Sequence, residues 1–373
     1  METKSKPKVL LAMSGGVDSS VAALLLKKQG YEVIGAFMKN WSDTKDPLTG
    51  VCAWRTERKM ALKIASQLDI PLITLDFEKQ YRKEVIEKMF EKYKKGITPN
   101  PDIDCNQKIK FPLLLKEAKK REINLIATGH YARVKKNKKN IYELLRGVDK
   151  FKDQSYFIYK INQTELSRCL FPIGDYKKEQ IRIIAQKNKF PNYNKKGTVG
   201  ICFVGKVNLK KFLQKKIKPK KGKILNPEGK IIGEHDGIYY YTIGQRLGPR
   251  YGFELDRGDK NKPSKWYVAG KDIKKNILIT APKNHPLNFR KEIIVKNLHL
   301  ISDKENSFKN KNTKVLSRIR HVGELLPSTL FYDKKSKQFK VKLDEAITGV
   351  SKGQAIVLYE GEKVLGGGEI SFN

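Results

Sequence analysis

The amino-acid sequence predicts an α/β protein: a parallel sheet covered by helices, then a small β-rich module, then a C-terminal antiparallel β-barrel. Three observations predict it. Over the first 130 residues short apolar runs alternate with amphipathic stretches, the rhythm of strands and covering helices in a parallel sheet. A Gly-rich loop stands directly between the first apolar run and the first amphipathic stretch. Past Asn208 the helical rhythm gives way to Gly, Tyr and Ile with frequent turn signals. At 373 residues the chain is also long for one domain, so two or three compact units are expected.

In order, stretches 9–13, 32–38, 71–76 and 123–128 read as strands. Between them, 19–29 reads as a helix ended by Gly30, and 55–68 as a second. In the second helix Ala61, Ile64, Ala65 and Leu68 fall at i, i+3, i+4 and i+7, so they form one apolar face that covers the sheet. From 150 to 205 strands weaken and helical stretches such as 177–187 appear, before a Gly-rich segment at 197–205. These parts make a first domain over 1–207 with a helical extension. The central module, 208–288, carries the turns Asn226-Pro227-Glu228-Gly229 and Asp236-Gly237. The last, 289–373, has strands at 315–319, 338–343 and 355–359 and a turn at Gly366-Gly367-Gly368, and reads as a small barrel.

Seventy-seven Lys and Arg against 39 Asp and Glu give a net charge of +38, a sign and size that attract polyanions. Lysine runs such as 135–139 and 215–223 are also what a lysine-biased composition produces, so the charge favours a nucleic-acid partner without placing it. The apolar run after the polar start is too short for a signal-peptide core or a membrane span. A soluble, cytoplasmic protein with no membrane partner is the expectation.

Ser14-Gly15-Gly16-Val17-Asp18-Ser19-Ser20 lies between the first strand and the first helix. Two glycines let the backbone approach a ligand, and free N–H groups at the helix start, aided by Ser19 and Ser20, can cradle an anion. The loop lacks the GxxxxGK[ST] spacing of a Walker loop, so the common route to γ-phosphate transfer is not supported. An ordinary Gly-containing turn with a Ser cap is the bland alternative.

No two of Cys52, Cys105, Cys169 and Cys202 form a CxxC pair, which argues against a zinc cluster and for free thiols. Cys105 follows the turn-rich Asn100-Pro101-Asp102-Ile103-Asp104 and precedes an amphipathic stretch, with Lys108 and Lys110 nearby. A thiol near a helix start and cations has a lowered pKa, so Cys105 is the expected thiolate. Cys202 lies in an apolar strip between Gly200 and Gly205 and, on pattern alone, reads as a buried structural strand residue.

The SGGVDS run resembles the signature of the PP-loop ATP pyrophosphatases. That resemblance implies ATP bound through its pyrophosphate part, adenylation of a carbonyl or carboxyl oxygen, and Mg²⁺, with Asp18 helping to orient the phosphates. Further motifs follow in order: NPDIDCNQKIKF (100–111), ATGHYA (127–132), KDQSYF (152–157), GICFVG (200–205), YYTIGQR (240–246) and GQAIVLYEGEKVLGGG (353–368). Together they resemble the tRNA-uridine 2-sulfurtransferase (2-thiouridylase) family over nearly the whole chain. The resemblance implies ATP contacts from Ala12, Met13, Ser14, Gly15, Gly16, Val17, Asp18, Ser19, Met38 and Gly129. It places Asn100, Pro101 and Asp102 at the target base, with Asp102 among the catalytic groups, makes Cys105 the nucleophile and gives Cys202 the incoming sulfur as a persulfide. It further implies tRNA contacts from His130, Lys152, Asp153, Gln154, Arg318, Ile319, Arg320 and Gln354, and a partner protein that donates persulfide sulfur. His130, just past a strand, also fits a satisfied core histidine. The chain departs from the family pattern at Gly197-Thr198-Val199, where an acidic residue and Ser or Thr are usual, and at Ile319, where an aromatic residue is common. A PP-loop amide-forming ligase and a non-catalytic RNA-binding protein are the competing functions.

Overall fold

A computed structural model describes residues 6–44, 52–197, 200–205, 208–248, 265–302, 306–321 and 323–372. The first sheet is built from β1 (Lys8–Ala12), β2 (Glu32–Lys39), β3 (Leu72–Asp76) and β4 (Leu125–Ala127). With the short β7 (Cys169–Leu170) it is parallel throughout, in the order β3-β2-β1-β4-β7. Val9, Leu10 and Leu11 of β1 are fully buried because parallel strands are covered on both faces. Alternation divides them: Val9 and Leu11 pack with Val21, Ala22 and Ile64 on one side, Leu10 with Ala36 and Met38 on the other. Helices α1 (Val17–Lys28) and α2 (Ala53–Gln67) cover the first side, α2 through Ala61, Ile64 and Ala65 as its periodicity predicts. Strand order reverses at β1, so the loop after β1 and the residues after β4 border the crevice where α/β sheets take ligands.

Two helical stretches on the opposite side, 78–94 and 101–119, each contain a π-helical turn, at Arg82–Glu87 and Asn106–Lys110. The second starts cleanly: Asn100 accepts from the Ile103 N–H at 3.4 Å and Pro101 takes the first turn, where its missing N–H costs nothing.

A hairpin of β5 (Ala132–Lys136) and β6 (Tyr142–Arg146) leaves the first domain and pairs with the last strand of the chain through Leu145 and Lys363. The central module is a five-stranded sheet of β8 (Gly222–Leu225), β9 (Ile231–His235), β10 (Arg246–Leu247), β11 (Trp266–Asp272) and β12 (Ile277–Pro282). The barrel comprises β13 (Phe289–Leu300), β14 (Thr313–Arg318), β15 (Leu326–Asp333), β16 (Gln338–Thr348), β17 (Ala355–Glu360) and β18 (Lys363–Ser371). It closes by β13–β18 pairing, which removes its edges.

Two local expectations fail. Gly366-Gly367-Gly368 is not a turn but the middle of β18. Added Cβ atoms there would stand 2.0 to 2.5 Å from the carbonyl oxygens of His299, Ile356 and Lys296, so the glycines serve close strand approach. The 200–205 strip is a tight turn rather than a strand, closed by bonds between Ile201 and Gly205. The departure at Thr198 and Val199 lies outside the described residues. No helix among the described residues is long and apolar enough to cross a membrane.

Candidate active site

The loop between β1 and α1 is braced by its own hydrogen bonds and by close backbone packing. Gly15 has φ +72°, and a Cβ on it would stand 2.3 Å from the Glu57 carbonyl oxygen; only glycine fits. Ser19 and Ser20 both donate to the Gly16 carbonyl, at 3.1 and 3.0 Å, and the Ser14 N–H donates to the Ser19 oxygen at 3.2 Å. The two hydroxyls thus brace the loop. Gly16, at the α1 cap position, gives the helix no side-chain cap, so the first N–H groups remain for an anion. Gly129 presses on this backbone from the β4 side, its would-be Cβ 2.9 Å from the Ser19 nitrogen. Asp18 accepts from Lys178 at 2.6 Å and from the Tyr131 hydroxyl at 2.7 Å. Burial and that carboxylate push the Tyr131 phenol well above its usual range. Met13, Val17 and Met38 are buried in the cores, so they can reach a nucleotide only through main-chain atoms.

These features fit a polyphosphate: an uncapped helix start, close backbone, and two lysines, Lys178 and Lys195, the latter 3.5 Å from the Gly15 oxygen. Among the described residues no cluster of three His, Cys, Asp or Glu could hold a metal. A Mg²⁺ here would rest on phosphate oxygens with Asp18, the usual manner for this hard cation.

The two cysteines meet on the other side of the sheet's end. The Cys105 thiol donates to Cys202 Sγ at 3.8 Å, a gap that a modest shift closes to the ~2.05 Å of a disulfide. Both are free thiols. Three groups hold the Cys202 turn: Asp102 accepts from its N–H at 2.9 Å, Tyr81 donates to its carbonyl, and Thr44 donates to the Val204 carbonyl at 2.9 Å. Phe203 is left-handed, φ +64°, a conformation a bulky residue adopts only when its surroundings impose it.

Ionisation in this pair reverses the expectation. Cys105 is the fifth residue of its helix and fully buried; burial, then the neighbouring thiol, push it well up. The hydrogen bond from Cys105 pulls Cys202 down, with Lys110 helping and burial opposing. Cys202 is therefore the more readily ionised thiol of the pair. Burial raises the Asp102 carboxyl, with the Cys202 N–H and Lys110 opposing.

A cleft of about 250 Å³ lies alongside, lined by Asn100, Pro101, Asp102, Gly200, Ile201 and, from the barrel, Gln354. Gln354 donates to the carbonyls of Thr98 and Pro99 at 3.2 and 2.9 Å. The structure thus brings together the residues assigned to the base and one assigned to tRNA. It does not bring the others to a common surface. Asp153 is buried and accepts from Arg318 at 2.8 Å, Arg146 at 3.1 Å and the Gly147 and Ser155 N–H groups at 3.1 Å. Arg318 and Ile319 are buried with it, whereas Lys152 and Arg320 are exposed. Gln154 is half-buried, its side chain accepting from the Tyr131 N–H at 3.0 Å. His130 is a core histidine, 2.8 Å from Thr128 Oγ1 and 3.3 Å from Lys110 Nζ. Buried polar residues here tie modules together because an unpaired charge inside would cost several kcal/mol.

Tyr81, Thr44, Lys178 and Asn192, which donates to the Gly15 carbonyl at 3.0 Å, escaped the sequence reading. Each comes from a different element far along the chain, with no local pattern around it. Tyr131 stands inside the ATGHYA motif, which was its only signal.

Residues 7–206 match the tRNA methyl transferase HUP domain family, 210–282 the tRNA methyl transferase PRC-barrel domain and 290–370 the aminomethyltransferase beta-barrel domain. The chain is similar to the tRNA-specific 2-thiouridylase MnmA of Coxiella burnetii (strain Dugway 5J108-111), 42% identical over 97% of this chain and 98% of that one. It is also similar to the tRNA-specific 2-thiouridylase MnmA of Lactiplantibacillus plantarum, 40% identical over 99% of this chain and 96% of that one. With likeness of that degree running through all three modules, the chain belongs to the tRNA-specific 2-thiouridylase family.

Proposed function

We propose that the chain is an ATP-dependent sulfurtransferase that replaces O2 of the wobble uridine of tRNA with sulfur. The observation that carries the reading is the Cys105–Cys202 pair, 3.8 Å apart, beside a cleft lined by Asn100, Pro101, Asp102 and Gln354. A lone nucleophile needs no partner thiol at that distance; sulfur delivery that ends in a disulfide does. The uridine must leave the anticodon stack to reach the cleft. Bound ATP, with Mg²⁺, supplies the adenylyl group that makes the uridine oxygen a leaving group, releasing pyrophosphate.

The 14–19 loop, Gly129 and Lys178 hold the phosphates, while Asn100, Pro101 and Asp102 position the base. Cys202, loaded as a persulfide by a donor protein, delivers its outer sulfur to C2 as the activated oxygen departs. Cys105 then gives up its proton and attacks Cys202 Sγ, so the outer sulfur stays on the base and a Cys105–Cys202 disulfide remains for a cellular thiol to reduce. Lys152 and Arg320 contact the RNA backbone from the surface. His130, Asp153, Arg318 and Ile319 act from inside, by shaping what the RNA touches.

Incubation with undermodified tRNA, ATP, Mg²⁺ and a persulfide source, followed by nucleoside mass spectrometry, tests this. The expected product is 2-thiouridine, formed only with ATP. Unchanged uridine in protein that binds both ATP and tRNA overturns it.

A further inference from the structure

We propose that Lys110 is the fixed positive charge placed beside the sulfur-carrying Cys202 to favour its reactive form, and that the π-helical turn and His130 serve to aim and hold it. The proposal rests on the thiolation reading and assigns that site a positioning residue.

Sequence proximity alone puts Lys108 and Lys110 together beside Cys105, and the fold separates them. On an α-helix, residues five apart point about 140° away from each other. The stretch Asn106–Lys110 is π-helical, with the Phe111 N–H bonded to the Asn106 carbonyl, and an i→i+5 pattern brings residues five apart onto one face. Cys105 and Lys110 are such a pair. Lys108 is exposed and acts on Asp104 instead.

Lys110 is held where it points. Its Nζ is 3.3 Å from His130 Nε2 and 5.8 Å from the centre of the Phe203 ring, the residue after Cys202. An ammonium only donates, so Nε2 accepts and Nδ1 carries the proton that faces Thr128 Oγ1 at 2.8 Å. The His130 ring is stacked on Phe111, centroids 5.9 Å apart at 26°. It therefore stays neutral, and burial and Lys110 both hold its pKa below the ordinary value. The groups facing the thiols are Asp102 and Lys110 from the Cys105 helix and Tyr81 from the helix beside it. Tyr81 stays neutral because burial raises it. Asp102 works against both thiolates and Lys110 for both. Sulfur is nucleophilic as the anion, so Lys110, beside the hydrogen bond from Cys105, adds to the share of Cys202 that is ready to react.

The test is the pH profile of iodoacetamide labelling at Cys202, read peptide by peptide by mass spectrometry on the full chain. It uses neither ATP nor tRNA, so failure of the thiolation reading leaves it intact. Lys110→Met is expected to move the Cys202 midpoint up by about one pH unit, the scale of one nearby charge in a partly buried site. Lys110→Arg is expected to keep it within about a third of that, and Lys108→Met to leave it unchanged. Should Lys110→Met fail to fold, Lys110→Gln, which still donates to His130 without the charge, gives the same reading. An unmoved midpoint in the folded neutral variant, or an equal shift in Lys110→Arg, overturns the proposal.

Discussion

Gly15 and Gly16 adjoin in the phosphate loop yet are needed for different reasons, and the difference is measurable. Gly15 sits at φ +72° with its would-be Cβ 2.3 Å from the Glu57 carbonyl oxygen and 3.3 Å from the Ala61 nitrogen. Alanine there adds roughly 1–2 kcal/mol of left-handed strain and about 1–3 kcal/mol of overpacking against α2 backbone that cannot swing aside. The loss of about 2–5 kcal/mol should appear as a melting temperature lower by several degrees, with or without ligand. Gly16 has φ −85°, and its would-be Cβ meets only Ser14 Oγ at 3.3 Å. Gly16→Ala should melt within a degree or two of the parent. If phosphate approaches this backbone, however, the added methyl should weaken ATP binding tenfold or more, about 1.4 kcal/mol. Thermal unfolding and calorimetric ATP titration on both variants separate the two effects. Parental ATP affinity in Gly16→Ala, or parental stability in Gly15→Ala, would refute the reasoning.

Cys105→Ser should still accept a persulfide at Cys202 yet make no thiouridine, Cys202→Ser should fail at loading, and peptide mass spectrometry after one turnover without reductant should find Cys105 joined to Cys202. Cys52→Ser should stay active, while Cys169→Ser, whose hydroxyl would be buried, should lose about 1–3 kcal/mol of stability and still thiolate once folded. Arg318→Met strips a buried partner from Asp153 and should cost about 3–5 kcal/mol in denaturant unfolding. Lys152→Ala should leave stability alone and lower the salt slope of tRNA binding by about one contact. For Asp102, burial raises the folded-state pKa above the ordinary 3.8, so its contribution to stability falls as pH rises through that range and is restored below it. Asp102→Asn, which keeps an acceptor for the Cys202 N–H, should be at least as stable as the parent near neutrality and converge with it below pH 3.8, as followed by chemical unfolding across pH.

What was legible in the sequence followed from local rules. The apolar alternation located β1 to β4, the i, i+3, i+4 pattern oriented α2, and the glycine pair between strand and helix marked the phosphate loop. The cysteine chemistry was legible only as membership of a motif set. Cys202 looked like a strand residue because its neighbours are apolar. They are apolar because Phe203 and Val204 pack on the core around Tyr81, a contact 121 positions away in the case of the Cys202 carbonyl. Cys105 looked like a thiolate because a helix start and lysines stood near it in sequence, whereas burial inside that helix outweighs both. The glycine triplet misled for a related reason: three glycines are a turn signal by composition, and only the crossing strands of a closed barrel make them a strand requirement.

Residues 96–100, just before the Cys105 helix, show why this site needs three modules. The central module reaches this segment with Lys271 of β11, which donates to the Gly96 carbonyl at 3.3 Å, and with Thr242, just before β10, whose hydroxyl is 3.1 Å from that of Thr98. Lys271 is buried deeply enough that its pKa drops to about 8, a position a lysine keeps only if the contact is fixed. The barrel reaches the same five residues from another side, through the Lys352 carbonyl on the Thr98 N–H at 3.0 Å and through Gln354 on Thr98 and Pro99. Gly353 lies so close that a Cβ would stand 2.1 Å from Ile97 Cγ2. A connecting loop left to itself is mobile, but one clamped from two sides fixes the Asn100 cap that follows. That cap sets where Asp102 meets the Cys202 turn and where Cys105 meets its partner sulfur. The barrel thus lines the cleft itself, through Gln354, while the central module acts on the cleft indirectly, by holding this segment in place.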